Sequence, residues 1–220
     1  MTGSIWRVEH QRTTAAAFHD TELTPRPGER RVVDVAVSVR ALVLGSTQRA
    51  DVVDADAAAA AGLEVVRRRS GGGAVVLVPG EHVWFDVVIA RDDPRWTDDV
   101  SASSQWLGEA WATALAETTD ATPVVHAGAM QRNPLSGLVC FAGLAPGEVT
   151  IGGAKAVGIS QRRTRDGARF QCVALRRWDP AAYATLLRPV SVDDLAAVAV
   201  APISASPAAL RAAVERALPR

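Results

Sequence analysis

A single lysine is the first residue of this sequence that could carry chemistry. Of the 24 lysine and arginine residues, only Lys155 is a lysine. Arginine can replace lysine on a solvated surface, but its planar guanidinium is wider and its donor directions are fixed. A lysine retained in such a composition therefore indicates a position that needs a compact ammonium group. The alternative is one chance survivor in a skewed composition.

A glycine triplet beside a run of arginines is the second such feature, in Arg67-Arg68-Arg69-Ser70-Gly71-Gly72-Gly73-Ala74-Val75. Glycine backbone lets a ligand approach without a Cβ in the way, and the basic side chains favour a phosphate or a carboxylate. The loop is not a Walker loop, because it lacks the Gly-Lys-Ser/Thr ending. It precedes a strand, whereas a dinucleotide fingerprint precedes a helix. The alternative is an ordinary turn beside solvated arginines.

The two cysteines, Cys140 and Cys172, are too few for a disulfide framework and lack the paired spacing of a zinc site. They are interpreted as free thiols, with Cys172 in the core. The four histidines form no metal-spaced group. The sequence therefore predicts no metal site built from protein side chains.

The overall charge gives no reason to expect a polyanionic partner. Basic and acidic residues number 24 each and the formal net charge is zero, so neither nucleic acid nor an anionic membrane is expected to bind. Residues 1–7 lack a basic region followed by an apolar run, and about 18 consecutive apolar residues occur nowhere. We therefore expect a cytoplasmic protein.

The elements that must position these residues are mostly short strands. Alternating or apolar runs that end at glycine or proline predict strands, at residues 31–39, 41–45, 63–67, 74–78, 82–89, 123–126, 137–141, 148–151, 156–162 and 169–175. The turn Pro79-Gly80 predicts a hairpin between two of them.

Helices are predicted from periodic apolar residues and from capping side chains. They cover residues from about 48 to 61 with Ser46 as the cap, 98–117, 180–187, 191–198 and 206–218, the last three capped by Asp179, Ser191 and Ser206. Strands with few flanking helices predict an α+β fold with a mixed sheet. A length of 220 residues, 48% of them hydrophobic, favours one domain over residues 1–220.

Two motifs carry a resemblance to a known family. The arginine and glycine run above resembles a signature of the lipoate-protein ligases. Gly152-Gly153-Ala154-Lys155-Ala156-Val157-Gly158-Ile159-Ser160-Gln161-Arg162-Arg163 is similar to that family's lysine strand, and Leu44-Gly45-Ser46-Thr47-Gln48 resembles its upstream turn. The resemblance spans roughly residues 41–173. It implies a catalytic core shared with biotin protein ligases, a mixed sheet backed by helices and distantly like class II aminoacyl-tRNA synthetases.

The resemblance also implies roles. Lys155 would stabilise charge on the acyl carbonyl and on the phosphate of an acyl-adenylate, which requires ATP with Mg²⁺ and lipoate or octanoate as substrates. Arg68 would bind the phosphate or carboxylate, and Ser70 would donate a hydrogen bond nearby. The remaining expected binding residues lie in the glycine loop, on the neighbouring strand and on the lysine strand: Gly71, Gly72, Gly73, Ala74, Val75, Val76, Trp84 and Gly158. For Trp84 an ordinary core position is the alternative.

Cys140 leaves the reaction open. Cys140-Phe141, followed by Glu148 and then Lys155, resembles the nucleophile segment of octanoyltransferases, in which a thioester forms without ATP or another cofactor. The alternative is a small buried cysteine that ends a strand. The sequence departs from the ligase pattern at Leu77-Val78 and at Phe170-Gln171-Cys172, so the resemblance assigns no adenine contact there.

The implied partners are lipoyl carrier domains, either of 2-oxoacid dehydrogenase E2 subunits or of the glycine cleavage H protein. We expect no counterpart of the extra domain that some ligases use in adenylation, which is compatible with a separate accessory subunit as partner or with no adenylation at all. The rival interpretation from another class is a non-catalytic module that binds an acyl group or a nucleotide. Biotin also stays open as the acyl group.

Overall fold

Two sheets organise the computed structural model, which describes residues 6–220. The opening segment that was interpreted as lacking a leader falls mostly on residues 1–5, outside the described residues. The larger sheet has seven strands in the order β1-β2-β6-β10-β9-β8-β7, and the smaller has three in the order β4-β3-β5. The strands are β1 (Arg7–Thr13), β2 (Arg30–Val37), β3 (Ala41–Leu44), β4 (Glu64–Arg67), β5 (Val75–Leu77), β6 (His82–Ala90), β7 (Pro123–Val125), β8 (Val149–Ile151), β9 (Ala154–Arg163) and β10 (Gly167–Leu175).

Helices cover these sheets. They are α1 (Ala15–Asp20), α2 (Ala55–Ala60), α3 (Gln105–Thr118), α4 (Pro180–Leu186), α5 (Val192–Ala196) and α6 (Pro207–Ala217). Helices α3 and α6 pack together over the apolar face of β6 and β10, where Trp111 and Phe85 are fully buried. The mixed α+β architecture predicted from the sequence is confirmed, because β1 runs parallel to β2 while β6, β9 and β10 pair antiparallel.

Capping side chains begin the tail helices where the sequence predicted. Asp179, Ser191 and Ser206 each accept a hydrogen bond from a backbone N–H in the first turn of α4, α5 and α6. The predicted cap at Ser46 was wrong. The helix begins later, because Asp54 accepts from the Ala57 N–H and a short 3-10 turn precedes it.

Three further predictions of local structure were wrong. Strands β5 and β6 do not form a hairpin, because β5 pairs with β3 and β6 with β2 and β10. Residues 137–141 form no regular strand, since Val139 makes one bridge to Ala74 before a 3-10 turn. Helix α3 begins at Gln105 instead of residue 98, because the Asp99 carboxylate accepts hydrogen bonds from following N–H groups and holds a turn.

Two elements were not predicted from the sequence: strand β1, at one edge of the larger sheet, and helix α1. Helix α1 carries a residue that lines the candidate site. Among residues 6–220, no helix is both long and apolar enough to cross a membrane.

Candidate active site

Lys155 lies on β9 with its ammonium group held inside the protein. Its Nζ donates hydrogen bonds to the backbone carbonyls of Cys140 at 2.9 Å and Gly143 at 2.8 Å. It also lies 2.7 Å from Oε2 of Glu148, and both side chains are only 5% exposed. An ammonium group has three donors, so these three contacts use all of them.

Glu148 is a partner of Lys155 whose contact the sequence analysis did not predict. Its Oε1 accepts from the Ile159 N–H at 2.9 Å, and its Oε2 accepts from the Ala145 N–H at 2.7 Å. The carboxylate therefore pins the segment before β8 to β9 and balances the buried ammonium charge. The available signal was an acidic residue just before β8, the strand that pairs with β9 beside Lys155.

Cys140 begins a 3-10 turn next to Lys155. Its backbone N–H donates to the Ala74 carbonyl at 2.9 Å, so the turn is anchored to the end of the glycine loop. A Cβ placed on Gly158 would lie 3.7 Å from Cys140 Sγ and 3.6 Å from Lys155 Nζ. The thiol and the ammonium therefore border one point on β9. The thiol residue is partly exposed.

A narrow cavity begins at this point and is lined mainly by apolar side chains. Its volume is about 30 Å³, and it brings together Arg68, Val75, Trp84, Cys140 and Gly158. That space holds a water molecule or two, so an acyl chain enters only if the lining side chains move apart. Val76 does not line this cavity. It lies on the other face of β5, where its N–H donates to the Tyr183 hydroxyl at 2.8 Å.

The glycine loop is shaped first by its own packing. A Cβ on Gly73 would lie 2.4 Å from the Val139 carbonyl carbon, and one on Gly45 would lie 1.9 Å from the Gly72 carbonyl oxygen. Gly72 has a φ of +98°, a region that favours glycine. Gly71 alone in the triplet has open space around its Cβ position. The triplet therefore serves close backbone packing as well as any ligand.

Arg68 is buried and extends along this loop. Its guanidinium donates to the carbonyls of Gly71 at 2.7 Å and Gly73 at 2.8 Å, and no acidic side chain of the described residues forms an ion pair with it. Burial lowers the pKa of Arg68, although Cys140 and other nearby acidic groups act to raise it. The cation at the cavity wall therefore has no direct ion-pair partner among the described residues and favours an anionic or carbonyl-bearing ligand.

Ser70 belongs to a buried polar chain and does not point freely toward a ligand. Its hydroxyl donates to Gln171 Oε1 at 2.7 Å and contacts the Ser160 hydroxyl at 2.9 Å. Gln171 and Trp84 both donate to the Asp86 carboxylate, which also forms an ion pair with Arg169. Burial raises the pKa of Asp86, against the lowering effect of these donors. This chain fixes the floor of the cavity.

A second pocket lies on the other side of Lys155. Its volume is about 250 Å³, and its lining includes Gln131, Arg132, Asn133, Gly153 and Lys155. This pocket was not predicted from the sequence, because residues 131–133 belong to a loop without a recognisable motif. Lys155 thus lines this pocket, whose walls are both polar and apolar, while its ammonium borders the Gly158 end of the apolar cavity.

Other candidate groups stay outside the site. Cys172 is fully buried, which agrees with its interpretation as a core residue. Burial raises the pKa of its thiol. Within residues 6–220, no group of three or more histidine, cysteine, aspartate or glutamate side chains could hold a metal ion.

Comparison with solved structures shows the fold. A protein from T. acidophilum, assigned as a lipoate protein ligase and with bound lipoic acid, superposes with a TM-score of 0.71 at 18% identity, covering 97% of this chain and 84% of that one. A lipoate-protein ligase A bound with ATP gives 0.71 at 18% identity, over 97% and 83%. P. falciparum LipL1 in complex with lipoate gives 0.65 at 13% identity, over 97% and 60%.

Sequence comparison gives the family. No curated protein sequence matches the chain significantly. The family model described as the lipoyl protein ligase A/B catalytic domain matches residues 15–218. That range contains the glycine loop, Cys140 and the Lys155 strand, so the resemblance stated from those motifs is confirmed. The chain belongs to the lipoyl protein ligase A/B catalytic domain family.

Proposed function

We propose that this chain is a lipoate-protein ligase that attaches a lipoyl or related acyl group to a specific lysine of a lipoyl carrier domain, through an acyl-adenylate. One observation carries the proposal: Lys155 lines the larger pocket, which contains Arg132 and amide side chains, and its ammonium borders the end of the apolar cavity. An acyl-adenylate needs both environments, because an apolar chain and a charged phosphate are joined at one carbonyl. Structures of similar fold carry lipoate or ATP.

The proposed reaction has two steps. In the first, a carboxylate oxygen of the acid bonds to the α-phosphorus of ATP, and the bond to pyrophosphate breaks. In the second, the amine nitrogen of the carrier lysine bonds to the acyl carbon, the bond to AMP breaks, and the amine loses a proton to water. Negative charge grows on the phosphate oxygens and then on the acyl oxygen.

Lys155 is the proposed source of stabilisation in both steps. A preorganised ammonium lowers the barrier wherever it meets an oxygen that gains charge. Because its three donors are already used, a substrate oxygen takes over the hydrogen bond now made to Cys140 or Gly143. Glu148 keeps the ammonium in position meanwhile.

Magnesium is proposed only as a companion of the ATP phosphates. Glu148, the acid beside Lys155, is already engaged by Lys155 and by two backbone N–H groups. Residues 6–220 offer no other cluster of metal ligands. The residues present therefore do not form a protein-held metal site, and no step is assigned to one.

Cys140 supports a second candidate, an octanoyltransferase that works without ATP. Its partly exposed thiol borders the cavity at the point where Lys155 also lies. In this reaction the sulfur bonds to the acyl carbon of an octanoyl thioester donor, whose thiol leaves. The carrier lysine then displaces the Cys140 sulfur from the acyl carbon.

The partner we propose is a lipoyl carrier domain, and we propose residues 1–220 as one catalytic domain that can act with a separate accessory subunit. A structure of similar fold is described as a bipartite lipoate protein ligase of Thermoplasma acidophilum and its E2 lipoyl domain, with a TM-score of 0.67 at 17% identity. This precedent supports an E2 domain as the first carrier to test, with the H protein next.

One experiment separates the candidates. The protein is incubated with apo carrier domain and either lipoate with ATP and Mg²⁺ or an octanoyl-carrier protein without ATP, and the carrier is weighed by mass spectrometry. An acylated carrier only with ATP is the expected result. Acylation without ATP that disappears in Cys140→Ser would establish the transferase instead. Cys172→Ala, at the buried thiol, is the matched control and should keep activity. Absence of product in both mixtures would leave the non-catalytic binding module as the remaining interpretation.

A further inference from the structure

His19 is a buried polar side chain at the apolar cavity, and it has no hydrogen-bond partner among residues 6–220. It lies on α1, is 5% exposed and lines the same cavity as Trp84 and Gly158. Its ring stacks on Trp84 with centroids 5.1 Å apart and meets Phe18 edge-on at 6.3 Å. Among the described residues, no hydrogen bond or ion pair engages either ring nitrogen.

The imidazole is neutral. Burial and, to a smaller extent, the positive charges of Arg169 and Arg68 together lower the pKa of His19 to about 3. A neutral imidazole presents one N–H donor and one nitrogen acceptor. Leaving these groups buried without partners costs free energy, so a ligand that supplies a partner gains affinity.

The position of His19 matches the far end of an acyl chain. Trp84 of β6, Val173 of β10 and Gly158 of β9 lie directly opposite one another in the sheet. Trp84 and Gly158 are therefore two strand spacings apart, about 10 Å. His19 stacks at the Trp84 end, whereas Cys140 and Lys155 border the Gly158 end.

An eight-carbon acyl group has the length to span this distance. Seven zigzag bonds of about 1.5 Å each extend roughly 9 Å. With its carboxyl group at Lys155, such a chain ends beside the imidazole.

We propose that His19 is a specificity-determining residue that binds a hydrogen-bond-accepting group at the far end of the acyl substrate, so that the protein selects lipoate over octanoate. This inference rests on the proposed function above. The dithiolane sulfurs of lipoate are weak acceptors for an N–H donor. The methyl end of octanoate offers nothing to either ring nitrogen and leaves both unpaired.

Calorimetric binding of the free acids tests this inference without ATP or carrier. Lipoate and octanoate are titrated into the unmodified protein, His19→Leu and His19→Gln. The unmodified protein should favour lipoate, and His19→Leu should reduce the ratio of the two dissociation constants about tenfold, equivalent to about 1.4 kcal/mol. His19→Gln, whose amide keeps a donor, should restore much of the ratio. His126→Leu, at a histidine outside the cavity, is the control and should leave the ratio unchanged.

An unchanged ratio in His19→Leu would overturn the inference. If the leucine variant does not fold, His19→Phe, which keeps an aromatic ring beside Trp84 but has no donor or acceptor, gives the same reading. The carrier acylation experiment tests the proposed function independently of the role of His19. Acylated carrier together with an unchanged ratio rejects the role of His19 and keeps the proposed function. Binding of neither acid and no acylated carrier rejects both.

Discussion

Removing the ammonium of Lys155 should affect stability and catalysis through two separate causes. Lys155→Met leaves the Glu148 carboxylate buried without its cation. Breaking a buried ion pair from one side costs about 3–5 kcal/mol. The N–H groups of Ile159 and Ala145 still bond the carboxylate, so we expect the lower end, about 3 kcal/mol of unfolding free energy.

The catalytic loss should persist when the stability loss is repaired. Lys155→Met combined with Glu148→Gln buries no unpaired charge, but the new amide oxygen accepts from only one of the two N–H groups that bond Glu148. Its unfolding free energy should therefore return to within about 2 kcal/mol of the unmodified protein. Loss of one charge-stabilising donor should still reduce the acylation rate about a hundredfold, or about 3 kcal/mol.

Two measurements separate these effects, each made at a temperature where every variant is folded. Urea unfolding reports the loss of stability, and carrier acylation reports the loss of catalysis. The matched control is Arg30→Met, which breaks another buried ion pair, with Asp93, at 2.6 Å. It should lose stability and keep its acylation rate. Recovery of both stability and activity in the double variant would refute the reasoning, because Lys155 would then only hold the fold.

Three further predictions follow from local geometry. Gly73→Ala should lower the unfolding free energy by about 2 kcal/mol, because its methyl would meet the Val139 backbone; unchanged urea unfolding would contradict this. Gly158→Ala should fold, because the three atoms nearest to its methyl all belong to the side chains of Lys155 and Cys140. It should raise the KM for the acyl substrate about tenfold, because the methyl narrows the cavity; an unchanged KM would count against that cavity. Burial lowers the pKa of His19 to about 3 and of His82 to about 4. The unfolded chain therefore takes up protons first as pH falls below about 6.5, so urea unfolding should show stability decreasing from pH 7 to pH 4, and a flat profile would argue against buried neutral imidazoles.

Local signals in the sequence were sufficient for several elements. The caps at Asp179, Ser191 and Ser206 were predicted correctly because a cap depends on a side chain and an N–H three residues later. The long strands β9 and β10 were predicted because glycines separate the two strand-like runs from their surroundings, with Gly152-Gly153 before β9 and Gly167 between the two. The glycine loop and the Lys155 strand were recognised because each motif is contiguous in sequence.

Errors arose where distant residues decide the structure. The Pro79-Gly80 turn predicted a hairpin, yet the chain passes there from the small sheet to the large one. Residues 137–141 have the composition of a strand, but Val139 finds only one bridging partner. Strand pairing depends on the path of the whole chain, which a short window does not contain.

The sequence by itself determined the family, the mixed α+β class and the candidates Lys155, Cys140 and Arg68. Only the tertiary structure paired Lys155 with Glu148, turned Ser70 toward Gln171 and brought His19 to the far end of the cavity. Motifs record residue types that the chemistry requires at neighbouring positions. Burial, charge pairing and the distance across a sheet arise from contacts between segments far apart in the chain, and these exist only after the strands have been assembled.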